Sequence, residues 1–255
     1  MMRIASIAHN TFRESIRERM LSIALLFGFI LMVSTYALSP LAVGAKQKII
    51  MDVGLAAISI LGVLTAVLLG STLVHKEVDK KAIFMILTRP ISRLEYLIGK
   101  YCGLVIAIVT MMAVMTGVMV VMILSGRGQL TPAVFAAVYG ALLETVVMGA
   151  VVIFFSTFTT PILTMLFSLG IFVMGSLSND LRIFAQRYGG EAMKLVTGVL
   201  YYLLPNLQVF NLRHEAVHDL HFRGIDLLNA SLYAALYCSV ILFFSYMIFR
   251  RREFL

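Results

Sequence analysis

Six long apolar runs decide what this chain can become. A helix needs about 20 consecutive apolar residues to cross the hydrocarbon core of a bilayer. The segments 21–43, 49–74, 101–125, 133–155, 158–177 and 227–249 each supply that length. The rest of the chain does not dilute them: 60% of the residues are hydrophobic and 13% are charged, against roughly 45–50% and about 25% in soluble domains. A chain so poor in polar side chains cannot cover a core in water. The reading is therefore an all-α integral membrane protein, one domain over 1–255, with six transmembrane helices. A further apolar run, 195–205, is too short to span and reads as a re-entrant or interfacial piece.

Charge placement orients the bundle. With both termini on one side, that side collects thirteen Lys and Arg close to the span ends, in 3–19, 76–100 and 250–252. The short loops opposite hold only Lys46, Lys48 and Arg127. The positive-inside rule then puts both termini in the cytoplasm of a multi-pass inner-membrane protein and makes 178–226 an extracytoplasmic segment. The net charge of +8 reflects membrane topology and contact with lipid. It does not reflect nucleic-acid binding, which would need a basic stripe with interleaved aromatics. Cys102 and Cys238 fall in or beside apolar runs without C-x-x-C spacing, and no disulfide is expected.

Residues 1–20 are charged and precede a run long enough to span, so they are not expected to form a signal peptide. Ile4, Ala8, Phe12, Ile16 and Met20 recur every four residues, the pattern of an amphipathic interfacial helix. The one sizeable inner loop is 75–100. Pro90 disfavours helix at Arg89, which ends a first short helix near Thr88. Ser92 followed by Glu95 is a capping box, with Ile91 and Tyr96 at staple positions, so a second short helix starts there. Ala82, Ile83, Phe84, Ile86 and Leu87 give the first helix an apolar face among lysines and arginines. Such a face, offered to the cytoplasm, suits docking of a partner protein.

This loop resembles that of type-2 ABC transporter permeases, and most closely the multicopper-enzyme-maturation permease branch. The resemblance rests on Glu77, on Ile-Leu-Thr-Arg-Pro-Ile-Ser-Arg at 86–93, and on Glu-Tyr-Leu-Ile-Gly-Lys at 95–100. A second stretch, Leu-Pro-Asn-Leu-Gln-Val-Phe-Asn-Leu-Arg at 204–213, resembles the same branch. It implies that the loop holds a cytoplasmic coupling helix seated on a separate ABC ATPase subunit, with Glu77, Lys81, Phe84, Leu87, Arg89, Pro90 and Arg93 in the coupling role. It also implies a second permease copy or homologue as partner. Gly99-Lys100 lacks the flanking residues of a P-loop, so ATP and magnesium belong to the partner, and the chain itself needs no cofactor and is not an enzyme.

Other constellations compete with this reading. His214, Glu215 and His218 form a literal H-E-x-x-H, and His221 follows on the same helical face. That geometry can hold zinc with Glu215 as general base. Its alternative is a solvated amphipathic helix, favoured because His221 stands where the extended motif needs glycine. A membrane zinc metalloprotease is thus one rival function, and an ATP-independent channel or transporter is another. Glu144 is the only acid near the middle of a span, where a charge costs at least about 2.5–3.5 kcal/mol. It must face protein or water: a substrate path, a contact across a permease pair, or a buried hydrogen bond to a Tyr or Thr of a neighbouring helix. Met111, Met115, Met119 and Met122 form a stripe that reads as packing more readily than as a copper path. Gly99 and Gly103 are a small-x-x-x-small pair suited to close helix contact.

Overall fold

The computed structural model describes residues 2–38, 46–73, 92–126, 128–218 and 224–251. Among these the chain is helical throughout, without a strand: α1 (Met2–Arg17), α2 (Arg19–Leu38), α3 (Lys46–Leu73), α4 (Arg93–Ser125), α5 (Pro132–Ser156), α6 (Pro161–Tyr188), α7 (Glu191–Leu203), a 3-10 turn (Leu207–Phe210), α8 (Arg213–His218) and α9 (Gly224–Arg251). Five helices, α3, α4, α5, α6 and α9, are long and apolar enough to cross a membrane. The bent pair of α1 and α2, which meet at 58°, adds a sixth candidate span. The six expected spans thus map onto α2 to α6 and α9.

Local chemistry explains the helix starts. Thr131 and Thr160 precede α5 and α6 with Pro at the first helical position, where its missing N–H costs nothing. Ser92 starts α4 in extended backbone. Its hydroxyl accepts from the Glu95 amide at 3.2 Å, and the Glu95 carboxylate accepts from the Ser92 amide at 2.9 Å. The expected capping box is present, but the helix it starts is not a short one. No breaker intervenes, so 93–125 is a single rod of 33 residues, about 50 Å long at 1.5 Å per residue. Its first turns project beyond a core of roughly 30 Å. Similarly, α6 runs on to Tyr188, past the expected span end at 177, because Gly189-Gly190 is the first interruption.

α3 and α5 form the centre, with Ile58, Ala66, Val134 and Ile153 fully buried, whereas α6 and α9 turn much of their surface outward. The methionine stripe is core: Met111, Met115 and Met119 are buried and Met122 packs beside them. α1 lies across the first turns of α4. A Cβ on Gly103 would stand 2.7 Å from the Ala8 carbonyl oxygen and 2.5 Å from Thr11 Cβ, so glycine permits the crossing. The buried edge of α1 is therefore Ala8, Thr11 and Ser15, while Ile16 of the apolar stripe stays exposed. Lys100 is buried beneath it, its Nζ 3.8 Å from Glu14 Oε2 and 5.9 Å from the Tyr96 ring centroid.

Candidate functional site

Two regions of the bundle bring candidate side chains together. The first is the end where α1 crosses α4. Arg93 donates from Nη1 to the carbonyl oxygens of Phe249 and Arg250, both at 2.9 Å, and Tyr96 stacks on Phe249 with ring centroids 6.0 Å apart. The last turn of a helix has carbonyls without intrahelical partners, and the Arg93 guanidinium satisfies two of them on α9. Of the residues that the resemblance assigns to coupling, Arg93 is thus placed as a strap between α4 and α9. Glu77, Lys81, Phe84, Leu87, Arg89 and Pro90 lie outside the described residues.

The second region is a cavity of about 170 Å³ bordered by α3, α5, α6 and the segment 210–213. Glu144 is only 7% exposed, and its Oε2 accepts from the Ser59 hydroxyl at 2.7 Å. The neighbouring hydroxyl is therefore a serine of α3 and not the expected Tyr or Thr. Sequence alone gave no means of selecting Ser59 among the many hydroxyls in spans. At the border of the same cavity Arg213 pairs with Asp52 at 2.7 Å, a contact between α8 and α3 that left no mark in local pattern.

The segment resembling the permease branch roofs this cavity. Asn206 receives Gln208 N on its side chain at 3.2 Å and donates its own amide to Tyr233 OH at 2.9 Å. Gln208 Nε2 reaches the Ser176 carbonyl at 2.9 Å and Asp180 at 3.2 Å. Two glycines let the backbone settle: a Cβ on Gly175 would stand 2.6 Å from the Pro205 oxygen, and one on Gly140 would collide with the Phe210 oxygen at 2.2 Å. Pro205 thus packs on α6 well before that helix ends.

The H-E-x-x-H motif occupies α8. Ala216 and Val217, its two intervening residues, are buried against the central helices, whereas His214 is exposed and Glu215 half-buried. Glu215 Oε2 has no hydrogen-bond partner among the described residues. Those residues contain no group of three or more His, Cys, Asp or Glu able to hold a metal, and His221 lies outside them. Ala216 and Val217 supply buried contacts of α8, and Glu215→Gln keeps the shape of its side chain, so Glu215→Gln and His218→Ala are each expected to leave the chain folded and transport intact. Bound zinc and transport, measured together on each variant, check this. Stoichiometric zinc lost together with function would establish the metal reading instead.

Taken together, the spans and their packing define an all-α multi-pass membrane protein. The family model described as ABC-2 family transporter protein matches residues 5–254, and the chain belongs to that family. It is accordingly a membrane-spanning permease-type transport subunit. No curated protein matches the chain.

Proposed function

We propose that the chain is the permease of an ABC transporter whose ATP is hydrolysed on a separate cytoplasmic subunit, docked on the coupling loop 75–100. The observation that carries this reading is the capped entry to α4. The chain leaves 74–91 at Ser92, and from there one unbroken helix runs through the bilayer. A push delivered before Ser92 is not absorbed by a joint, because the capping box and the Arg93 strap to α9 make the entry stiff. Nucleotide-driven closure of the ATPase pair would tilt α4 and α9 as one body.

The multicopper-enzyme-maturation branch is supported by 86–93 and 204–213. One chain of six spans with a single docking loop is half of a pathway, so a second copy or homologue completes it. Glu144 belongs to the substrate path in this reading: its burial within one chain favours an internal cavity over a contact across the permease pair. The charge count places both termini and 75–100 in the cytoplasm, and α8 outside.

Single-cysteine labelling tests the arrangement, in a background with Cys102 and Cys238 replaced by serine. A cysteine at position 80 is expected to react only with permeant reagent and to be shielded when the ATPase co-purifies. A cysteine at position 214 is expected to react with impermeant reagent. Labelling of position 80 from outside, or no ATPase in the purified complex, would overturn the proposal.

A further inference from the structure

A carboxylate at mid-span needs a counter-charge or a proton. Glu144 has the Ser59 hydroxyl as its one hydrogen-bond partner among the described residues. The guanidinium bordering its cavity, Arg213, is already paired with Asp52. One carboxylate oxygen is therefore taken by Ser59, and the other is left for whatever enters the cavity. At about 170 Å³ the space falls below the roughly 300–1,000 Å³ of pockets for drug-sized ligands, so it suits a head group.

The lining narrows the chemistry. Ser59, Ser176 and Asn211 add neutral oxygens, while Phe172 and Phe210 add aromatic carbon. Calcium would call for six to eight oxygen ligands, and a soft metal for thiolate or thioether, which this lining does not contain. A guanidinium binds best to both oxygens of a carboxylate, and Ser59 occupies one. A quaternary ammonium has no N–H to satisfy the free oxygen. A primary ammonium has three donors, matching one carboxylate oxygen and two neutral acceptors, and aromatic walls favour a cation.

We propose that this cavity binds a primary ammonium group, with Glu144 as counter-ion and Ser176 and Asn211 as the two neutral acceptors. The same chemistry is offered by a small free amine and by an ethanolamine lipid headgroup. Whether such an amine is cargo rests on the transport reading above; whether it binds does not.

The test uses the full chain in phosphatidylcholine nanodiscs, titrated with n-butylammonium chloride while its thermal midpoint is followed. Ligand that binds only the folded state raises the midpoint saturably. n-Butanol and tetramethylammonium are expected to leave it unchanged. Glu144→Gln, whose amide oxygen can still accept from Ser59, should weaken n-butylammonium binding about 10–100-fold, the loss expected for a hydrogen bond to a charged group. Ser176→Ala, in the lining but outside the Ser59–Glu144 bond, should weaken it several-fold with the fold intact. Repeating the titration in phosphatidylethanolamine nanodiscs separates the sources: a raised apparent Kd identifies the lipid headgroup, and an unchanged one the free amine. No saturable shift, an equal shift with tetramethylammonium, or undiminished affinity in both variants would overturn the proposal. No ATPase is needed, so this failure is distinct from failure of the coupling reading.

Discussion

Phe84→Asp or Leu87→Glu is expected to remove the ATPase from the purified complex while the permease still inserts and folds. Phe84 and Leu87 belong to the apolar set at 82–87 that the sequence offers for docking, and a charge placed in such a contact must be desolvated without a partner. Truncating a central interface residue already costs about 2–4 kcal/mol, which is roughly 30–1,000-fold in affinity. An uncompensated carboxylate costs more than truncation. Co-purification and ATP-driven transport should therefore fail together. Glu215→Gln, on α8 far from the docking segment in sequence, serves as the matched charge-removing control and should retain both. A complex that survives both substitutions with its ATP-driven activity would remove 75–100 from the docking role.

Gly140→Val should be the most damaging single substitution in the roof of the Glu144 cavity. The new Cβ would lie 2.2 Å from the Phe210 carbonyl oxygen, and a backbone atom cannot swing aside as a flexible side chain can. Either α5 moves, disturbing the core around Val134 and Ala141, or 205–212 lifts and breaks the Asn206 and Gln208 hydrogen bonds. Overpacking of this kind typically costs about 1–3 kcal/mol, and the lost bonds add to it. The check is the thermal midpoint in detergent beside Gly170→Val, where an added Cβ meets nothing within 4 Å. A midpoint for Gly140→Val no lower than for Gly170→Val would show that the roof is not seated on that glycine.

The parts of this molecule visible in sequence were those governed by neighbours along the chain. The spans were legible because 20 apolar residues in a row have one stable solution in lipid, a helix that satisfies its own backbone. The capping box was legible because Ser92 and Glu95 stand three residues apart. The same local reasoning fails for the length of the helix: a new N-cap after Pro90 predicts a short helix, whereas nothing from Leu94 to Ser125 ends it.

Tertiary structure alone decided which faces meet. Ser59 and Glu144 are separated by 85 residues and Arg93 and Phe249 by 156, and no periodicity relates such pairs. In a span, nearly every side chain is apolar whether it faces lipid or core, so the pattern that reveals the buried side of a soluble helix is absent. Exposed Ile162 and buried Ile153 look alike in sequence. Only the close approach of α1 to Gly103, of the roof to Gly140, and of Ser59 to Glu144 separates core from lipid face. Helices in lipid associate through close contact and polar pairing because apolar burial gives them no preference. The apolar runs and the Ser92–Glu95 cap, both local in sequence, were enough to define a helical multi-pass membrane protein; the Arg93 strap, the roofed cavity and the acid inside it were settled by packing.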